Sequence, residues 1–279
     1  MNLEEIRKKL GPHWFINNIL NIDLWEKQQS IIDDIFKYDM VSIKSCHASG
    51  KTFMSAAIIL AFLYLYEDSI VLSTAPTFRQ VKKLIWTDLR KIYAHTNIKL
   101  GGDLLPKSPD LYINDKWYAL GLSTDEPDRF QGFHAPNILI IVDEANGVYD
   151  DIYYAIDGIM ASGNAKLLLD GNPTNPEGYF FDSFKASDFK KHTISAFDTP
   201  NFRYFDIKPK DFDDNTWKEK RTTPLPRSYL INPYWAYDKY LRWGKDSSLY
   251  LSRVLGEFPT EGSNTLIPLS WIEKAMKII

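Results

Sequence analysis

Eight residues, Ser45–Thr52 (SCHASGKT), lie between a short β-like run, Val41–Lys44, and a long apolar helix candidate, Phe53–Tyr66. Strand, tight loop, Gly-Lys-Thr and helix is the context that makes a short motif a phosphate-binding loop. Backbone N–H groups of Ser45, Cys46, His47, Ala48 and Ser49, with the start of the following helix, are expected to face one polyphosphate. Gly50 lets the backbone approach closely, Lys51 can bridge β- and γ-phosphates, and Thr52 offers a hydroxyl to Mg²⁺. Ser45 stands where the usual G-x-x-x-x-G-K-[ST] pattern has its first glycine.

Composition removes several alternatives. The 279 residues carry 44% hydrophobic and 25% charged side chains, which suits a globular body with a sizeable core. A formal net charge of −3 supplies no global basic field, so tight static nucleic-acid binding is not expected, although local phosphate contacts remain open. The single cysteine, Cys46, excludes an intramolecular disulfide and a cysteine-based zinc site, and its place in the loop suits a reducing cytosol. The charged opening MNLEEIRKKL is not a signal peptide, and Phe53–Tyr66 is too short to span a membrane.

In chain order, Leu3–Leu10 reads as a helix broken at Gly11-Pro12, and LWEKQQSIIDDIFKY places Ile31, Ile32 and Ile35 on one helical face. Gln28, just upstream of the loop, can pair with an adenine edge or serve as a solvated helix residue, as can Gln29. Ser69–Thr74 reads as a buried strand. The helix that follows has Val81, Leu84, Ile85 and Leu89 as its apolar stripe. Its other face carries Arg79, Lys82, Lys83, Arg90 and Lys91, the densest basic patch and the first choice for DNA phosphates. Leu111–Ile113 and Lys116–Leu122 flank Asn114-Asp115 as a hairpin. In the polar loop that follows, Arg129 can reach a γ-phosphate on a neighbouring subunit or pair with Asp125, Glu126 or Asp128; Gln131 and His134 lie beside it.

The run Ile138–Val142 is continuously apolar and ends in Asp143-Glu144, as a strand covered on both faces of a parallel sheet would. Acids at such a strand end are costly unless paired or bound to metal. Asp143 is expected to hold Mg²⁺ opposite Thr52, and Glu144 to orient the attacking water. Val148–Ala161 reads as a helix. Ala165–Leu169 is a second buried strand, and the turn after it puts Gly171, Asn172, Pro173 and Thr174 near the ligand crevice of an open α/β sheet. His192–Ala196 is the last strand candidate. The organisation expected is an ATPase domain over 1–205, with a helical segment at 1–38, and a helical appendage over 206–279.

These stretches together resemble the ATPase portion of a tailed-phage terminase large subunit, the motor that drives double-stranded DNA into a procapsid. The likeness rests on WEKQ, SCHASGKT, STAPTFRQVKKLIW, DRFQGFHAPNILIIVDEA, LLLDGNPT, ISAFDTPNF and RVLGEFP. The resemblance implies an α/β P-loop NTPase of the additional-strand (ASCE) type, with a mainly parallel sheet between helices and a small helical lid. It implies ATP and Mg²⁺ as cofactors, Gln28 at the adenine, and Lys51 and Glu144 as catalytic residues. Thr52 and Asp143 become metal ligands, and Gly171–Thr174 the coupling motif. Many relatives place an arginine where His47 stands, which turns attention to Arg129 as a trans arginine finger.

The implied partners are double-stranded DNA, a portal protein, the small terminase subunit and further copies in a ring, with no membrane. The implied setting is the host cytoplasm, docked on the procapsid portal and absent from the mature virion. Such subunits continue into a nuclease, and nothing after Trp271 supplies its aspartates, so no DNA cleavage is expected. Alternatives sharing the motif set are a helicase-like or remodelling translocase and a nucleotide-dependent docking module that is silent as an isolated ATPase.

Overall fold

The computed structural model describes residues 3–124, 127–161, 164–220 and 223–260. An eight-stranded sheet has the order β3-β4-β5-β2-β6-β7-β1-β8. The strands are β1 (Met40–Ser45), β2 (Ser69–Thr74), β3 (Asp103–Leu104), β4 (Asp110–Asn114), β5 (Trp117–Gly121), β6 (Asn137–Val142), β7 (Ala165–Gly171) and β8 (Lys190–Ile194). β2 pairs in parallel with β5 and β6, and β6 in parallel with β7. The β3–β4 and β4–β5 ladders are antiparallel. The expected mainly parallel α/β sheet is therefore present. All six residues of β2 are buried, as are Ile138–Val142 of β6, which is why both read as unbroken apolar runs.

The chain divides into two compact units. The first comprises Met1–Ile43, Gly50–Gly171 and Ala186–His192; the second comprises Lys44–Ser49, Asn172–Lys185 and Thr193–Ile279. This second unit begins earlier than the expected division near residue 206.

In the first unit, α1 (Leu3–Asn18) is kinked at Gly11, whose φ of 75° and following proline account for the expected break. α2 (Glu26–Lys37) buries Ile31, Ile32 and Ile35, as its periodicity indicates. α3 (Lys51–Leu65) buries nearly every side chain and packs on α1, β2 and the helix Trp86–Ala94. A helix apolar all round is stable only inside a core.

One expected stripe is corrected. Val81, Ile85 and Leu89 are fully buried, whereas Leu84 is 46% exposed. A π-helical turn over Val81–Ile85 widens the helix there and turns Leu84 outward, bringing Trp86 in. The Trp86 indole N–H donates to Ser73 Oγ at 3.0 Å, so its polar atom is satisfied.

The second unit has an aromatic core. Phe202 and Phe212 are buried with Trp217, and Phe212 lies 5.1 Å from Tyr237, ring centre to ring centre. Asn201 holds this region together by donating to the carbonyls of Arg227, Leu230 and Ile231 and accepting the Arg227 N–H. Among the described residues after 206, the regular elements are helical, the longest being Pro233–Trp243. The region after Trp271 lies outside the described residues.

Candidate nucleotide site

Parallel register places the acids of the first unit. Val142 of β6 pairs with Leu169 of β7, so Asp143 and Asp170 follow side by side at the carboxyl ends of adjacent strands. That end is where open α/β sheets bind ligands. Asp143 is 1% exposed and Asp170 is wholly buried.

Lys51 and Thr52 start α3 and meet these acids. Thr52 Oγ1 donates to Asp143 Oδ2 at 3.1 Å, and Lys51 Nζ lies 2.9 Å from Glu144 Oε1. The Glu144 N–H donates to Asp143 Oδ1 at 3.0 Å, and Ser55 Oγ donates to Asp170 Oδ2 at 2.8 Å. Glu144 takes a left-handed backbone, φ 51° and ψ 42°, a conformation unusual outside glycine that turns its carboxylate onto Lys51.

Burial works to lower the Lys51 pKa, but Glu144, Asp143 and Asp170 outweigh it and the ammonium is held charged. Burial raises the Asp143 pKa, against the hydrogen bond to Asp170 and the charge of Lys51. Asp170 is pushed well above the ordinary carboxylate value by burial and then by Asp143. One lysine thus faces three acids, an imbalance that suits an added cation.

The loop preceding α3 bends through Ala48 (φ 48°) and Gly50 (φ 82°). In the second unit, its opening residues are anchored by backbone. The Cys46 N–H donates to Ile194 O at 2.8 Å, the His47 N–H to Arg253 O at 2.9 Å, and the Ile231 N–H to Ala48 O at 3.0 Å. This corrects one expectation: the Cys46 and His47 amides, expected to face a polyphosphate, are spent on carbonyls. Asn172 Nδ2 donates to Ser45 O at 2.6 Å, so the turn after β7 holds the first loop residue. A Cβ on Gly256 would lie 2.5 Å from Ile194 O and 3.0 Å from Cys46 N, which permits only glycine there.

Within the second unit, Ser45 Oγ and Ser49 Oγ are buried with no hydrogen-bond partner. No group of three or more His, Cys, Asp or Glu able to hold a metal occurs among the described residues. A hydroxyl and a carboxylate at 3.1 Å instead form a hard-oxygen pair of the kind that takes Mg²⁺ together with phosphate oxygens. The residues present therefore fit a Mg²⁺-polyphosphate.

The remaining expected residues are placed as follows. Gln28 is buried in the first turn of α2 and accepts the Trp25 N–H at 3.4 Å, while Gln29 donates to Leu24 O. Arg129 is exposed on the turn Pro127–Phe130, which buried Phe130 anchors, and Gln131 and His134 are also exposed. Asp125 and Glu126 lie outside the described residues. Arg79, Lys83 and Lys91 are exposed and Lys82 half-buried, with Lys91 paired to Asp88. Arg90 instead donates to the carbonyls of Trp86, Leu105 and Ser108, a structural tie that commits its guanidinium. The Thr174 N–H donates to Asn172 O. Asp170 was readable in principle, since it ends an apolar β-run just as Asp143 does. Ser55, Ile194 and Arg253 carried no such signal.

No family model matches the chain. In sequence it is 24% identical over 264 residues to a protein of Enterobacteria phage P7 described as "Probable terminase, large subunit", covering 91% of this chain and 49% of that protein. The chain thus spans about half the length of the curated relative it matches. Among solved structures it is similar to the HK97 bacteriophage large terminase, with a TM-score of 0.60 and 17% identity over 85% of this chain and 51% of that one. The Thermus phage P74-26 large terminase ATPase domain gives 0.56 and 15% over 88% and 97%. The large terminase of another thermophilic bacteriophage, in complex with ADP, gives 0.56 and 13% over 85% and 54%. The chain shares its fold with these large terminases.

Proposed function

We propose that this chain is the ATP-hydrolysing motor part of a terminase large subunit and powers movement of double-stranded DNA into a procapsid. The convergence of Lys51, Thr52, Asp143 and Glu144 on one sheet end carries the reading. A bound Mg²⁺ would neutralise charge on the phosphates. Lys51, freed from Glu144, would bind the β- and γ-phosphates, and Thr52 and Asp143 would hold the metal. Glu144 positions and polarises the water for in-line attack, and Gln28 reads the adenine. Asn172, already bonded to the loop, connects the state of the phosphate site to the turn Gly171–Thr174.

Arg79, Lys82, Lys83 and Lys91 offer phosphate contacts to duplex DNA. The partners follow from the same reading: a portal protein, the small terminase subunit and further copies of this chain in a ring in which Arg129 serves a neighbour's nucleotide. The working location is the host cytoplasm, on the procapsid portal and not in the mature virion. Among the described residues no helix is long and apolar enough to cross a membrane.

The test is steady-state ATP hydrolysis by wild type and Glu144→Gln, with and without duplex DNA and portal. Glu144→Gln is expected to bind ATP and lose at least about a hundredfold in turnover. Hydrolysis at the parental rate would remove Glu144 from the role.

A further inference from the structure

Arg253 lies in the π-helical turn Leu251–Leu255, a local geometry that recurs at functional positions. Its carbonyl accepts the His47 N–H at 2.9 Å, which fixes the residue to the third position of the phosphate loop. The guanidinium carbon lies 5.9 Å from the centre of the Trp243 ring. Nε is buried and has no acceptor, and no carboxylate among the described residues pairs with the group.

The neighbouring cations are accounted for. Lys239 lies over the Trp235 and Trp243 rings but is paired with Asp238 at 2.8 Å. Lys44, just before the loop, is paired with Glu257. Among the described residues Arg253 alone of these three is paired with no anion, and its backbone is tied to the loop at His47. A buried guanidinium donor left unmade is unfavourable, and its positive charge suits phosphate oxygens. The indole ring beside it shields the guanidinium from water on that side.

We propose that Arg253 is a phosphate-binding residue at the loop Ser45–Ser49, beside the backbone of His47 that its carbonyl holds. This rests on the nucleotide reading of the loop. His47 contributes a backbone N–H to the arrangement and its ring packs edge-on against Trp235, with centres 6.2 Å apart.

The experiment is calorimetric titration of wild type, Arg253→Gln and Arg253→Lys with ATPγS and Mg²⁺, alongside their thermal unfolding. Loss of a charge-assisted phosphate contact is expected to weaken ATPγS binding by Arg253→Gln about tenfold or more, with Arg253→Lys within about threefold of wild type. Binding by Arg253→Gln within about twofold of wild type overturns the proposal. So does an Arg253→Lys variant as weak as Arg253→Gln, because a packing role would not respond to restored charge. Should Arg253→Gln unfold early, Arg253→Lys against wild type decides, loss of binding in a stably folded lysine variant counting against it. A wild-type chain that fails to bind ATPγS would instead overturn the nucleotide reading itself.

Discussion

Glu144 joins two local demands in one residue. Its left-handed backbone costs about 1–2 kcal/mol for a side chain with a Cβ, and the same turn delivers its carboxylate to Lys51. Glu144→Gly is therefore expected to unfold at a higher temperature than Glu144→Gln, by the equivalent of about 1 kcal/mol, with hydrolysis lost in both. Calorimetry checks the first half, and an equal or lower unfolding temperature would show that the turn stores no strain. Lys51 presents the opposite case. It is the cation among Asp143, Glu144 and Asp170, so Lys51→Met leaves buried carboxylates uncompensated. A loss of about 3 kcal/mol or more is expected in denaturant unfolding, together with loss of nucleotide binding. Unchanged stability would mean that the acids already hold enough protons to be neutral.

At the scale of elements, the phosphate loop is fixed from outside itself. Gly256→Ala must displace either the Ile194 carbonyl or the Cys46 amide, and it also sits at φ 68°. The expected result is a destabilisation of about 1–3 kcal/mol with weaker ATPγS binding, seen together in one titration series. Elsewhere in the second unit, Asp211 caps its own short helix. It accepts the Lys208 N–H at 2.7 Å and pairs with Lys220 at 2.8 Å, and Thr216 donates to it. Burial opposes ionisation there, but the Lys220 hydrogen bond, the Lys208 N–H and the Lys220 charge together hold its pKa below the ordinary carboxylate value. Its contribution is complete above about pH 4 and is lost as pH falls through the depressed folded value. Asp211→Asn should accordingly be about 1–3 kcal/mol less stable at neutral pH, with a shallower acid limb in unfolding curves taken from pH 6 to pH 2.

The same elements show what could be read from sequence. Strands such as β2 and β6 announce themselves because burial on both faces writes an unbroken apolar run, and the acid pair at the end of β6 stands out against it. Lys51, Thr52, Asp143 and Glu144 were accessible for that reason. Leu84 was misread because a π-helical turn breaks the period on which the reading depends. β8 was expected two residues late, since KKHTI is half-exposed and lacks a clear pattern. The anchors of the loop were invisible: Ile194 O and Arg253 O are backbone carbonyls, and any residue can supply one.

At the scale of the molecule, the proposed ring of copies can be tested through Arg129, which is exposed. Arg129→Ala and Glu144→Gln, each inactive in an assembled motor, should partly restore hydrolysis when mixed, because each supplies what the other lacks. Mixtures with no more activity than the separate variants would remove Arg129 from an intersubunit role. The tethering of the loop has a consequence for a chain still on the ribosome. Ser45 leaves the exit tunnel early, but Asn172, Ile194, Ile231 and Arg253 are all translated much later. Nascent chains should therefore be unable to retain nucleotide until synthesis has passed the turn Leu251–Leu255.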